Sequence, residues 1–206
     1  MRQPKSVRAL EDFGRVRLSE SFFMRDFLYS EIAAINGFAN IPGDPDLAII
    51  AGKALCEHLL EPLQARFGRI SVRSAYRSPE VNGFGNVHKL NCARNEANYA
   101  GHIWDQRDEA GRYGATACII VNRFIPHYDR TGDWEALAWW VHDHLPYHDI
   151  EFFPRFAAFN LQWRQAPERR IYSYIPPRRG WLTQPGMDNW TGNHESAYAA
   201  MLDELG

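Results

Sequence analysis

The 206-residue chain has only three cysteines, Cys56, Cys92 and Cys118. An odd number at wide spacings excludes a disulfide framework and predicts free thiols. It has no apolar run approaching the roughly 18 residues of a membrane span. The N-terminal residues MRQPKSVRALEDFGRVRL carry charge but no apolar signal core, so no signal peptide is expected. The formal net charge of −2 leaves no basic field to attract nucleic acid. Internal repeats and low-complexity stretches are absent. So are a glycine-rich dinucleotide loop, a P-loop and a G-x-S-x-G elbow, which removes the common nucleotide-binding and serine-hydrolase signatures.

What the chain does have is aromatic side chains, 14% of residues including seven tryptophans, in a composition that is otherwise ordinary for a globular protein. Residues 1–17 read as a polar arm, and 18–206 as a single domain large enough for one core. Ser19 or Ser21 is a candidate cap for a short helix through Phe22 to Leu28, and 34–45 reads as a Gly/Pro-punctuated loop. From Asp46 to about Phe67 the residues Leu47, Ile50, Ala51, Ala54, Leu55, Leu59 and Leu63 recur at helical spacing, with Pro62 kinking or ending the helix. Residues 70–77 alternate as a strand. Residues 79–112 are a long polar stretch, of the kind that is functional or disordered inside a compact domain. The run 114–121 reads as a buried strand and 133–145 as a helix begun by Asp133. Short strands follow at 150–153, 158–163 and 171–175, and Asn193 is placed to start a last helix. This order predicts an α+β fold, with a small antiparallel or mixed sheet flanked by helices.

Four segments in order resemble the M15 zinc peptidases, the group that contains the bacterial and phage D-Ala-D-Ala carboxypeptidases. LSESFFMRDFLYS (18–30) resembles a helix that opens one subgroup, and SVRSAYRSPEVN (71–82) the strand bearing its GYRS motif. GATACIIV (114–121) is similar to the G-x-A-x-D strand, and 145–163 to the stretch that ends in W-x-H. The resemblance implies an M15-like frame, a peptidoglycan-type peptide as partner, and Arg77 and Ser78 lining the cleft, where they hold a substrate carboxylate. It implies Glu151 as the catalytic acid/base. It also allows a place either in the cytoplasm or with a phage particle.

The family's zinc positions are replaced. Cys118 stands at the Asp place, Gly111 at the His place, and 159–162 contains no His. Zinc needs three or four N, S or O ligands. His102, Asp105 and Cys118 form one set able to rebuild a site, which would make the protein a metal-dependent hydrolase of peptide amides. The opposing reading makes His102 and Asp105 a hydrogen-bonded loop pair and Cys118 a small buried hydrophobe. The protein is then an inactive relative that binds a peptide, glycan or protein partner in the same cleft. A third reading gives 79–112 its own active site from His102, Asp105, Arg107 and Asp108. His142 and His144 point roughly 200° apart on one helix, so they read with His148 as helix-end and loop histidines. His88, Cys92 and His127 lie scattered through loops.

Overall fold

The computed structural model describes residues 1–206. In chain order the elements are α1 (Val7–Gly14), α2 (Glu31–Asn36), α3 (Pro45–Leu55), a π-helical turn (Cys56–Leu60), α4 (Glu61–Phe67), β1 (Ile70–Ser74), α5 (Pro79–Val87), α6 (Asn95–Asn98) and β2 (Gly114–Val121). Then follow α7 (Ile125–Thr131), α8 (Glu135–His144), β3 (Asp149–Phe152), β4 (Phe159–Arg164), β5 (Arg170–Ser173), β6 (Gly180–Thr183) and α9 (Glu195–Leu205). The six strands form one mixed sheet in the order β1-β2-β4-β3-β5-β6. Its neighbours are antiparallel except β3 and β5, which run parallel. The fold is α+β. No helix is long and apolar enough to cross a membrane.

Strand alternation divides the sheet into two unlike faces. Ala115, Ala117, Ile119, Ile150, Phe152, Phe159, Leu161 and Ile171 point into a core of 41 buried residues. The helical run from α3 to α4 packs over this face against β2 and β4. Asp44 caps α3 with its carboxylate on the Leu47 amide, and Pro45 occupies the first turn, so the helix begins one residue before Asp46. Pro62 does not end the helix. The π-turn just before it shifts the hydrogen-bond ladder and absorbs the missing donor, so the chain stays helical to Phe67.

Three expectations are revised. Residues 1–17 are more than a polar arm, because they contain α1 and its Phe13 is fully buried in the core. No helix starts at Ser19 or Ser21. Both hydroxyls instead bind Glu61, whose carboxylate they hold below its usual range, and only the single turn Met24–Phe27 follows. The long 79–112 stretch is ordered: Ser78 caps α5 through the Val81 amide, Pro79 fills the first turn, and α6 follows. All three cysteines are free and buried.

Candidate functional site

The polar face of the sheet holds the site. One row crosses four strands in register: Ser74 on β1, Cys118 on β2, Asn160 on β4 and Glu151 on β3, with Tyr172 of β5 next in line. Above this row lies a cavity of about 790 Å³, walled also by Arg73, Arg77, His102, Asn98, Cys92 and Tyr174. The 79–112 segment forms its other side. It is clamped to the sheet where Gln162 donates to the Ala100 carbonyl at 2.7 Å and the Thr116 amide donates to Gly101 at 3.0 Å.

His102 is 5% exposed and its Nδ1 donates to the Ala75 carbonyl at 2.7 Å. Burial and the nearby Arg77 guanidinium push its pKa down to about 3, so the ring is neutral and Nε2 carries the lone pair. Asn160 lies within hydrogen-bonding reach of this ring, and its amide also donates to Glu151 Oε2 at 2.8 Å. The Tyr174 hydroxyl donates to Glu151 Oε1 at 3.4 Å. Burial pushes the Cys118 thiol up to about 11, although Arg73 and Arg77 favour the thiolate. Cys118 therefore keeps its proton near neutrality in the metal-free protein, which disfavours it as a nucleophile.

The two arginines set the electrostatics. Neither Arg73 nor Arg77 takes part in any ion pair. Arg77 Nη1 contacts the Cys92 sulfur at 2.7 Å, and its Nε is buried without a partner. A thiol is a weak acceptor, so both guanidinium groups keep donors for an anionic ligand.

The residues singled out in the sequence divide into two sets. Arg77, His102, Cys118 and Glu151 share the cavity. Ser78 and Asp105 do not line it. The Ser78 hydroxyl is spent on the α5 cap. Asp105 accepts from the Gly43 amide at 2.7 Å and neighbours the Tyr76 hydroxyl, and burial raises its pKa. The set His102, Asp105 and Cys118 is thus replaced by His102, Cys118, Asn160 and Glu151. No group of three or more His, Cys, Asp and Glu side chains stands in a metal-holding arrangement. His102, Cys118 and Glu151 share the cavity with the Asn160 amide and two guanidinium groups, whose positive charge opposes a cation there. Asn160 and Arg73 were missed in the sequence, where Asn160 registered only as the lack of a histidine.

The other clusters are spent on structure. Asp108 pairs with Arg112 and Arg164, and Arg107 donates to the Gly111 carbonyl, and neither lines the cavity that holds His102. His142 accepts from Tyr147 and donates to the Trp190 carbonyl, and His144 binds the Trp140 carbonyl. His127 meets Glu204, and the His88 ring packs tilted against Phe84.

His148 accepts from the Glu168 amide through Nδ1, which requires the neutral ring. Burial, then Arg164, Arg170 and Arg112, push its pKa down to about 3. The folded value lies below the unfolded one, so the unfolded chain takes up a proton first as pH falls through about 6.5, and stability is lost there. Wild type should therefore lose about 1 kcal/mol more than His148→Gln between pH 7.5 and pH 5, after discounting for screening. Urea unfolding of both proteins at the two pH values measures this. Parallel losses would show that His148 is protonated in the fold.

Comparison with protein-family models, with curated proteins and with solved structures yields no match to this chain.

Proposed function

We propose that the protein is a divergent member of the M15 peptidase-like fold that binds a cell-wall-type peptide by its terminal carboxylate, without the family's zinc. The observation that carries this reading is the pair of guanidinium groups, Arg73 and Arg77, in one cavity and in no ion pair, beside a Cys118 that keeps its proton. A carboxylate between them gains charge-assisted, fork-shaped hydrogen bonds where water is partly excluded. Glu151, held by Asn160 and Tyr174, offers an acceptor to the peptide's N–H groups or its free amine.

The runner-up is a metal-dependent hydrolase of the same peptide amide. It draws on the tautomer of His102, whose Nδ1–H is tied to a backbone carbonyl as in many metal-bound imidazoles. In that reading His102 and Cys118 hold zinc and Glu151 moves the proton.

Calorimetric titration with a peptide ending in D-Ala-D-Ala, alongside its C-terminal amide, tests the first reading, and elemental analysis of untagged protein is run beside it. Binding of the free acid, loss with the amide, and no stoichiometric metal are expected. About one zinc per chain, lost in both His102→Ala and Cys118→Ser, would replace the binding reading with the hydrolase.

A further inference from the structure

The cavity does not end at Glu151. Phe153 and Tyr174 line its far wall, and from them a line of rings continues along the polar face to the edge of the sheet. Phe153 and Tyr174 stack at 5.5 Å with an interplanar angle of 2°. Tyr174 meets Tyr172 edge-on at 5.0 Å, and Tyr172 meets Trp181 at 5.2 Å and 81°. The strand pattern places them there: Ile171 and Ser173 of β5 point inward and are fully buried, so Tyr172 and Tyr174 must point out. Trp181 lies opposite Tyr172 on β6, the edge strand, and is 45% exposed.

Single exposed aromatics are ordinary. Four in a chain of contacts leading out of a cavity, three of them half-buried and Trp181 exposed, leave a ledge, a line of partly uncovered ring surface. Hydrogen-bond donors flank it. The Arg170 guanidinium sits 5.9 Å from the Trp181 ring centre, and that of Arg179 6.0 Å from Tyr174. Rings bordered by donors match the two faces of a pyranose, whose C–H groups stack while its hydroxyls bond at the rim.

A single-stranded nucleic acid also stacks on aromatics, but it needs a groove of uncompensated cations along its backbone. The ledge lacks one. Arg170 is paired with Asp149 at 2.7 Å and with Glu168 at 3.1 Å, and Arg178 is paired with Glu135. Of these three only Arg179 is without an ion pair, and the unpaired Arg73 and Arg77 lie back in the cavity, while Glu151 and Asp149 border the same face. The charge balance favours a neutral or weakly anionic chain.

We propose that Phe153, Tyr174, Tyr172 and Trp181 form a saccharide subsite, on which pyranose rings of a glycan stack from the mouth of the cavity to the β6 edge. It rests on the peptide reading of the cavity only in that the bound glycan is the one carrying the peptide. The two sites therefore fail separately.

The test titrates the full chain with a peptide-free N-acetylglucosamine tetramer, following tryptophan fluorescence. Trp181→Ala should weaken binding about tenfold, and Trp181→Phe, which keeps an aromatic ring, by no more than about threefold. Arg77→Ala should leave saccharide binding unchanged. Because Trp181 is exposed, the fold survives its replacement, and circular dichroism of the variant checks this. A tetramer that binds while the D-Ala-D-Ala peptide does not upholds the ledge and removes the peptide reading. Absence of saccharide binding at millimolar concentration, or equal binding by wild type and Trp181→Ala, overturns the ledge. So does tighter binding by a deoxythymidine oligonucleotide that Trp181→Ala abolishes.

Discussion

Gly114→Ala should lower the stability of the protein by about 3 kcal/mol, at the upper end of what an overpacked position gives. Gly114 begins β2, and a Cβ there would lie 2.5 Å from two backbone oxygens, those of Ala100 and Trp163. Neither is the tip of a flexible side chain, so a strand or a loop has to move. One contact is β4, paired with β2 through Gly114 and Arg164. The other is the loop that leads two residues later to His102. The damage therefore reaches both the sheet and the site wall. Urea denaturation measures it as a lower midpoint at unchanged slope. A midpoint within experimental error of wild type would mean that the 100–102 loop is not pressed against β2. The variant should also bind peptide less well at temperatures where it remains folded, because the arm carrying His102 is displaced.

Arg77→Ala should weaken binding of a carboxylate-terminated peptide about a hundredfold, or roughly 3 kcal/mol. In the free protein the guanidinium has no carboxylate partner, only the Cys92 sulfur, and its Nε is buried unpaired, so truncation there loses one weak contact and removes one unsatisfied donor. Most of the difference therefore falls on the complex. Arg77→Lys should recover little, since an ammonium cannot supply the two parallel donors of a fork. Arg73 is more exposed, and its replacement should cost about tenfold. The decisive comparison is a double-mutant cycle with the amidated peptide. If Arg77 binds the carboxylate, Arg77→Ala and amidation each remove the same interaction and their losses do not add. Additive losses would place the guanidinium elsewhere on the ligand.

Much of the fold was legible because its elements carry strong local signals. The apolar rhythm of 46–67 and the small-then-apolar run of 114–121 each serve one large buried surface, and both elements form where the pattern puts them. Helix α8 starts at Glu135, two residues after Asp133, whose carboxylate accepts from the Ala136 amide. Short elements with mixed faces were not legible. Strand β6 has four residues and an exposed tryptophan, and α1 buries little besides Phe13 and Gly14. Helix α5 had a readable start in Ser78-Pro79, but the glycines and asparagines after it resemble a loop, and its hold comes from tertiary bonds such as Asn82 to the Ala93 carbonyl.

The site was half legible for a related reason. Residue types identified Arg77, His102, Cys118 and Glu151 as chemically able. Which of them meet depends on strand order and register, and neither is written in any one segment. Asp105 is only three residues from His102, yet it faces Gly43. Asn160 is 58 residues away and stands beside the ring. Nothing in the sequence singles out Arg73, and only the fold brings it to the cavity beside Cys118.

The two-faced sheet has a consequence for how this chain changes over time. Ala117, Leu161 and Ile150 hold the core, while Cys118, Asn160 and Glu151, their immediate neighbours along the same strands, hold the cavity floor. Substitutions in one set leave the packing of the other almost untouched, since the two sets lie on opposite sides of the same backbone. The floor is thus free to drift through new chemistries while the scaffold selects for nothing but hydrophobic volume beneath it. Descendants of one ancestral frame can come to share a shape and no reaction.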